Sequence, residues 1–418
     1  MFERISMVGL GYIGLPTAAL FAAYGTRVIG VDVSPRVVDT INQGKIHIVE
    51  PDLAGIVQKA VADGKLSATL SPEPADAFII AVPTPFKAEY APDLSYIRSA
   101  AEMIAPVLAR GNLVILESTS PVGATEQMAA WLAAARPDLS FPQDAGEEAD
   151  IQVAHCPERV LPGHVVRELV ENDRIIGGMT ARASEMAVAM YKIVVQGDCV
   201  VTNARTAEMC KLTENSSRDV QIAFANELSI ICDKFDIDVW ELIALANRHP
   251  RVNILQPGAG VGGHCIAVDP WFIVSSAPEE AKLIHAARLR NDAKPKWVLQ
   301  KGRDAVMDVL TADPSRAMAD IRVACLGLAF KPDIDDLRES PAMQITQEFA
   351  GLGCQVLAVE PNIAALPSSF DGKPVTLVAL EQALEQADVV CVLVKHREFM
   401  QLRDMMAEGQ KLVDVVGL

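Results

Sequence analysis

The feature that most constrains the fold is a glycine-rich turn, Gly9-Leu10-Gly11-Tyr12-Ile13-Gly14. An apolar, strand-like run precedes the turn, a helix-like stretch follows it, and a second apolar run ends at Asp32. In a βαβ unit the three glycines permit a tight turn, a close approach of backbone to pyrophosphate, and close packing of helix on strand. Asp32 stands where a carboxylate accepts bonds from ribose hydroxyls and repels a 2′-phosphate, so the pattern predicts NAD rather than NADP.

The strand pattern is interrupted in the middle of the chain and then resumes. Further strands are predicted at residues 78–82, 113–116, 151–154, 322–327, 355–360, 388–394 and 412–416. Residues 202–247 contain neither proline nor glycine and are typical of helix, and residues 309–318, interrupted by Pro314, are a candidate linker. We therefore expect an α/β protein with two doubly wound, Rossmann-like parallel-sheet domains joined by a helical middle region.

Charge and cysteine usage exclude several classes of protein. The net charge of −17 over 418 residues argues against non-specific nucleic-acid binding and against an anionic membrane surface. No apolar run reaches the roughly 18 residues of a membrane span. The apolar stretch after Arg4 could mimic a signal peptide, but the glycine spacing and Asp32 explain it better. Eight cysteines without a C-x-x-C spacing predict reduced thiols and a cytoplasmic location.

One of these cysteines, Cys265, lies in a glycine-rich loop at residues 257–269. The loop also fits G-x-G-x-x-G, but Pro270 follows and no helix pattern begins there, so we do not expect dinucleotide binding. The glycine flanks and Asp269 favour a reactive thiol facing a ligand over a small buried side chain. His264 and Cys265 lack further ligands at suitable spacing, so no metal site is expected. Beside a nicotinamide, such a thiol could hold an oxidised carbonyl as a covalent intermediate.

The helical middle region places Lys211, Asn215 and Arg218 on one predicted helix face. A solvated polar face is the simpler interpretation, although apolar residues nearby favour a pocket. A desolvated lysine can act as a base, whereas a charged one can stabilise an alkoxide. The residues alone leave both roles of Lys211 open.

Ordered motifs along nearly the whole chain carry a family resemblance. They are residues 9–14, Glu117-Ser118-Thr119-Ser120-Pro121-Val122-Gly123, Cys156-Pro157-Glu158-Arg159, residues 208–215, 260–269 and 327–331, and Asp336-Leu337-Arg338-Glu339-Ser340. Together they resemble the nucleotide-sugar 6-dehydrogenases, which act on UDP-glucose and UDP-N-acetylhexosamines. Residues 47–53 and 249–255 are most similar to a bacterial UDP-N-acetylhexosamine branch. The Cys156-Pro157-Glu158-Arg159 segment and Val261 differ from the UDP-glucose branch.

The resemblance implies an NAD-binding domain at residues 1–201, a helical dimerisation domain at 202–308 and a UDP-sugar-binding domain at 319–418. It implies a homodimer and a four-electron oxidation that uses two NAD. The expected substrate is UDP-N-acetyl-D-mannosamine, oxidised to the uronic acid through a Cys265 thiohemiacetal and thioester for a surface polysaccharide. UDP-N-acetyl-D-glucosamine and UDP-glucose are alternatives. A two-electron 3-hydroxyacid dehydrogenase and a non-catalytic nucleotide-sugar sensor are more distant ones.

The resemblance also implies roles for individual residues. The catalytic set is Cys265, Lys211, Asn215, Asp269, Glu158 and Thr119, in which Asp269 and Thr119 position water and Glu158 assists hydrolysis. The NAD contacts are Gly9, Gly11, Tyr12, Ile13, Gly14, Asp32, Thr84, Thr125 and Arg338. The substrate contacts are Arg159, Val160, Lys211, Asn215, Arg218, His249, Arg251, Gly262, Phe330 and Lys331. Arg338 could instead be a surface ion pair, His249 a loop residue and Glu158 a helix-capping acid.

Overall fold

The computed structural model describes residues 2–87, 90–160, 163–263 and 265–418. The chain forms two compact units, Met1–Glu214 and Asn215–Leu418. The strands of the first unit are β1 (Arg4–Val8), β2 (Arg27–Val31), β3 (Leu66–Thr69), β4 (Ala77–Ile80), β5 (Leu113–Leu116), β6 (Gln152–His155), β7 (Arg174–Gly178) and β8 (Cys199–Asn203). Its helices are α1 (Gly14–Ala23), α2 (Pro35–Asn42), α3 (Leu53–Ala62), α4 (Ser95–Ile104), α5 (Ala124–Ala135), α6 (Pro142–Ala145), α7 (Val165–Glu171) and α8 (Ala181–Tyr191).

The sheet of the first unit has the order β3-β2-β1-β4-β5-β6-β7-β8 within the described ranges. Its pairings are parallel except that of β6 with β7, which is antiparallel and joins Ala154 to Gly178. The central strands are buried on both faces, and separate apolar clusters cover the two sides. This arrangement explains why β4 and β5 are continuously apolar rather than alternating. It also confirms the predicted doubly wound sheet, with two reversed strands, β7 and β8, that no local pattern predicts.

Helix α9 (Ala204–Lys234) leaves the first unit, and the second unit contains the remaining elements. Its helices are α10 (Val239–Ala246), α11 (Asp269–Ser276), α12 (Lys282–Ala312), α13 (Pro341–Gly351), α14 (Leu380–Gln386) and α15 (Leu402–Met405). Its strands are β9 (Arg322–Leu326), β10 (Gln355–Val359), β11 (Val375–Leu377), β12 (Val389–Val392) and β13 (Lys411–Asp414). Short 3-10 helices lie at Ala105–Val107, Gly146–Glu148, Met318–Asp320, Ser368–Phe370 and Arg397–Phe399.

The second sheet is parallel and has the order β11-β10-β9-β12-β13. Its apolar faces pack against α12, α13 and α14. The second doubly wound sheet and the helical middle region are therefore confirmed. Helix α12 ends only at Ala312, so it extends into the segment predicted as a linker.

Several helices begin where the sequence supplies a capping side chain. The Ser34 hydroxyl accepts from the Val37 N–H ahead of α2, and Asp238 accepts from two N–H groups ahead of α10. Ser340 does the same for α13, where Pro341 occupies the first helical position. These caps satisfy N–H groups that have no partner inside the helix. None of the helices in the described residues is long and apolar enough to cross a membrane.

Candidate active site

The glycine turn between β1 and α1 is built for close backbone packing at two of its three glycines. Gly9 has a φ of +93°, and a Cβ there would lie 2.4 Å from the Ala81 carbonyl oxygen. A Cβ at Gly14 would lie 1.9 Å from the Gly9 oxygen. A Cβ at Gly11 would meet no described atom within 4 Å beyond its chain neighbours. Gly11 is therefore the glycine whose open side can admit a pyrophosphate.

Asp32 lies directly after β2 and faces this turn. Its Oδ2 accepts from the Leu10 N–H at 3.1 Å, and its Oδ1 accepts from the Ser34 N–H at 2.9 Å. Each oxygen keeps a second lone pair, so the carboxylate can still accept from ribose hydroxyls. The turn, the N-terminus of α1 and Asp32 thus fit a bound NAD.

The other predicted NAD contacts lie in different settings. Tyr12 is 44% exposed beside the turn, and the Thr84 hydroxyl is buried with no hydrogen-bond partner among the described residues. Thr125 is fully buried at the start of α5, and its hydroxyl donates to Glu208 at 2.6 Å. Arg338, in the second unit, pairs with Asp336 through two nitrogens. Contact of these residues with NAD stays a prediction.

Glu158 lies after β6 in a buried group of charges. Its Oε2 accepts from Arg174 Nη1 at 2.6 Å, and its Oε1 accepts from the Arg159 N–H at 2.5 Å. The other terminal nitrogen of Arg174 donates to Glu117, which also accepts from the Tyr191 hydroxyl at 3.1 Å. Arg174 therefore holds two carboxylates at once. Among the described residues, both oxygens of Glu158 bond to arginines and neither caps a helix.

The electrostatics of this group follow from its burial. Burial raises the pKa of Glu117 to about 7, and the neighbouring Glu158 charge adds to that rise while Arg174 opposes it. Burial also raises the pKa of the Cys156 thiol and of the Tyr191 hydroxyl. Two carboxylates share one guanidinium here, so Glu117 can hold a proton near neutral pH.

Helix α9 carries the predicted polar face. Lys211 and Asn215 are half-buried one turn apart, and Arg218 is exposed. In the first unit, Arg159 pairs with Glu214 at 2.7 Å, so the substrate-contact candidate Arg159 is anchored to the same helix.

In the second unit, Cys265 is exposed and lies just ahead of α11. The expectation that no helix follows this loop was wrong, because Pro270 lies in the first helical turn, where proline is tolerated. Its carbonyl oxygen accepts from the Asp269 N–H at 2.8 Å. The Asn215 amide donates to Asp269 Oδ2 at 2.5 Å. The second unit therefore brings Cys265, Asp269 and Asn215 together, and their catalytic roles stay predictions.

The glycines ahead of Cys265 pack against protein. A Cβ at Gly262 would lie 2.4 Å from the Glu339 carbonyl oxygen and 2.8 Å from Phe330 Cβ. One at Gly263, whose φ is +81°, would lie 2.9 Å from the Phe330 ring. Packing against residues 330–341 therefore requires glycine at both positions, and contact of Gly262 with substrate stays a prediction.

The remaining substrate-contact candidates are dispersed over their units. Val160 packs partly on the first core, whereas Lys331, His249 and Arg251 are exposed in the second unit. His249 Nδ1 accepts from the Arg251 N–H at 3.3 Å. Contact with substrate at these positions stays a prediction.

Sequence reasoning missed several polar residues that build the site. They are Glu117, Arg174, Glu208, Asp219, Asn226, Arg288 and Asn291. Glu117 and Glu208 lay inside motifs that carried the resemblance, which was a usable signal. The others pair with residues far away along the chain, and no local pattern marks them.

The chain belongs to the UDP-glucose/GDP-mannose dehydrogenase family. Its NAD binding domain matches residues 3–195, its central domain residues 205–293 and its UDP binding domain residues 324–418. These matches confirm the family predicted from the motifs and the NAD cofactor. The class is that of NAD-dependent nucleotide-sugar dehydrogenases.

The chain is also similar, along nearly its whole length, to individual dehydrogenases. The chain is 62% identical over 418 residues to the UDP-N-acetyl-D-mannosamine dehydrogenase of Yersinia pestis, covering 100% of this chain and 99% of that protein. It is 61% identical over 419 residues to the NDP-N-acetyl-D-galactosaminuronic acid dehydrogenase of Ralstonia nicotianae, covering 100% and 96%. The solved UDP-D-ManNAc dehydrogenase of Pyrococcus horikoshii superposes with a TM-score of 0.86 at 37% identity, covering 99% and 95%.

Proposed function

We propose that the protein oxidises C6 of UDP-N-acetyl-D-mannosamine to the carboxylate of UDP-N-acetyl-D-mannosaminuronic acid. The observation that carries the mechanism is the exposed Cys265 thiol beside the Asn215–Asp269 hydrogen bond. The choice of sugar follows the Yersinia pestis relative, which matches the whole chain.

The proposed reaction has three stages, which are two oxidations and one hydrolysis. Loss of a hydride from C6 and a proton from its hydroxyl gives an aldehyde, and the Cys265 sulfur adds to the aldehyde carbon to give a thiohemiacetal. Loss of a second hydride and proton leaves a thioester, and attack by water breaks the C–S bond to release the carboxylate and the thiol. NAD, when bound, supplies the hydride acceptor for each oxidation.

The other site residues act on protons and developing charge. Lys211 and Asn215 stabilise the oxyanion of the intermediates, because an ammonium and an amide both donate to oxygen. Asp269 and Thr119 position the water, and Glu158 assists its attack. Arg174 holds one Glu158 oxygen by an ion pair, and the Arg159 N–H holds the other, so the side chain has a fixed place.

The proposal also includes the oligomeric state, the roles of the domains and the cellular location. Exposed apolar side chains on the central helices, among them Phe224 at 53% and Leu245 at 60%, support a homodimer through residues 202–308. Residues 1–201 bind NAD and residues 319–418 bind the UDP-sugar. Eight free cysteines support a reducing, cytoplasmic location, and the product serves surface polysaccharide synthesis.

A second candidate substrate is UDP-N-acetyl-D-galactosamine, whose sugar differs from N-acetylmannosamine at both C2 and C4. The Ralstonia nicotianae relative is as similar to this chain as the Yersinia pestis one, and its name specifies an N-acetyl-D-galactosaminuronic acid. The kcat/KM of the purified protein should be measured with the UDP derivatives of N-acetylmannosamine, N-acetylgalactosamine, N-acetylglucosamine and glucose. We expect kcat/KM to be at least about tenfold higher for the mannosamine derivative than for the others. A hydroxyl or acetamido group in the wrong orientation would leave polar groups of the site unpaired. A lead for another sugar would reassign the substrate and keep the chemistry.

A further inference from the structure

Four polar side chains are almost completely buried between α9 and α12 in the second unit. Asp219, Asn226, Arg288 and Asn291 are each at most 1% exposed. Arg288 Nη1 donates to Asp219 Oδ1 at 2.6 Å, and the Asn291 amide donates to the same oxygen at 2.8 Å. The Asn226 amide donates to Asn291 Oδ1 at 2.9 Å. These four residues, the buried array, form one continuous hydrogen-bonded unit.

The buried array contacts the backbone on both sides of Cys265. Asn226 Oδ1 accepts from the Gly258 N–H at 2.9 Å, seven residues before the cysteine in the sequence. Arg288 Nη1 donates to the Ile266 carbonyl oxygen at 3.3 Å, directly after the cysteine. Asp219 also lies one helical turn beyond Asn215, whose amide holds Asp269. The same helix pair thus fixes the nucleophile segment and Asp269.

Stability of the helix pair does not explain this arrangement. Burial raises the pKa of Asp219 to about 6, while Arg288 opposes the rise, so enclosing the pair has a cost in desolvation. Near the surface, α9 and α12 are already joined by Arg290 to Glu227 at 2.8 Å and by Lys301 to Asp233 at 2.7 Å. A buried apolar contact would join the helices at least as well. It would not offer an acceptor to Gly258 or a donor to Ile266.

We propose that Asn226 and Arg288 are positioning residues that hold the backbone on both sides of Cys265, so that the thiol keeps a fixed place relative to Asp269 and Asn215. This inference rests on the proposed role of Cys265 as nucleophile. A small displacement of a reacting group is costly, because a shift of about 1 Å can reduce a rate by about a hundredfold.

The hydrogen bonds that join Asn226 to Gly258 and Arg288 to Ile266 are together called the brace. One variant tests each of them. Asn226→Ala removes the acceptor for Gly258, and Arg288→Lys keeps the charge opposite Asp219 but loses the planar fork that reaches Ile266. In each folded variant we expect kcat to fall by about tenfold to a hundredfold, with KM for NAD within about twofold of wild type. Amide hydrogen exchange of peptides covering residues 255–268 should accelerate, which a general loss of stability would not confine to that segment.

The matched control is Glu227→Gln, which breaks a surface ion pair between the same helices and leaves the buried array intact. We expect its kcat and its loop exchange to match wild type. Equal losses in this control, or unchanged loop exchange and kcat in both folded brace variants, would overturn the inference.

Wild-type protein adds a test that needs no variant. The peptide containing Gly258 should exchange slowly, and exchange as fast as in an open loop would also overturn the proposal. If wild-type protein exchanges slowly there yet oxidises none of the UDP-sugars, the proposed function fails while the brace itself stands.

Discussion

At the scale of single residues, Arg174 is the side chain that holds the buried acidic group around Glu158 together. It is 4% exposed, it holds Glu158 and Glu117 together, and its guanidinium carbon lies 4.3 Å from the centre of the Tyr191 ring. One positive charge facing two carboxylates leaves a net negative charge in a buried place. Protonation of Glu117 relieves that charge, whereas Glu158 keeps its own ion pair. The protonation of Glu117 therefore sets the net charge of the buried group that Arg174 holds together.

The raised pKa of Glu117 predicts a pH-dependent stability. Its pKa is about 7 in the folded chain against 4.5 for the ordinary group. Between these values the folded state binds more protons than the unfolded state, so stability from this group falls as pH rises. Relative to Glu117→Gln, the wild-type free energy of unfolding should drop by up to about 1.4 kcal/mol per pH unit between pH 5 and 7. Urea unfolding of both proteins across this range measures the difference, and a flat or rising difference would contradict the assignment.

At the scale of elements, sequence patterns located the central strands and missed the outer or reversed ones. Strands such as β4 and β9 are continuous apolar runs bounded by turns, and burial on both faces produces that signal. Strand β7 contains an arginine and two glycines, and β8 is largely exposed at the sheet edge, so neither strand shows a continuous apolar run. Hydrogen bonds between residues far apart in the sequence were also not predicted, because no local pattern marks them. Glu208 and Thr125 are separated by 83 residues, and only the folded sheet brings them together.

The glycine loop ahead of Cys265 also packs against residues far away in the sequence, and this packing gives a second prediction. The motif marked Gly262 as important, but the cause is its contact with Glu339 and Phe330. Gly262→Ala should destabilise the chain by about 1–3 kcal/mol through overpacking and should lower kcat. Gly258→Ala is the matched control, because its Cβ would meet open space and its N–H is retained. Thermal unfolding and steady-state rates of the two variants compare them, and equal effects would refute the packing argument.

At the scale of the whole molecule, the two sheets share one topology. The order β3-β2-β1-β4-β5 of the first sheet corresponds to β11-β10-β9-β12-β13 of the second. The turn after each first strand is also alike. Gly9 and Gly327 have φ near +90°, and Leu10 and Leu328 donate their N–H groups to the acid that ends the next strand, Asp32 or Glu360. The matching topology and turns are what an internal duplication of one α/β unit would produce.

The two acids have diverged in what they can still bind. Glu360 also accepts from Ala329 and from Asn362, and His396 contacts it at 3.0 Å. These hydrogen bonds lower the pKa of Glu360 to about 2 although burial opposes them. Asp32 has two backbone donors and remains half-exposed. The second turn is therefore occupied by its own chain, in agreement with NAD binding at the first.

The proposed homodimer gives a prediction at this scale. Phe235 is 64% exposed and Leu245 is 60% exposed on the helical middle region. Replacing both by serine should shift the sedimenting species from two chains towards one, because most of the association energy comes from buried apolar anchors. Tyr24→Ser, a 49% exposed aromatic in the first unit, is the control. A wild-type protein that sediments as a single chain would refute the dimer.

The central claim is a four-electron oxidation through Cys265, and the most direct measurement counts NADH formed per UDP-N-acetyl-D-mannosamine consumed. We expect two NADH per sugar and a uronic acid product from wild-type protein, and the same from Cys199→Ser, which changes a different cysteine in β8. Cys265→Ala should form no more than one NADH per sugar and no acid, because the thioester has no sulfur on which to form. One NADH per sugar from wild-type protein, or two from Cys265→Ala, would refute oxidation through a Cys265 thioester.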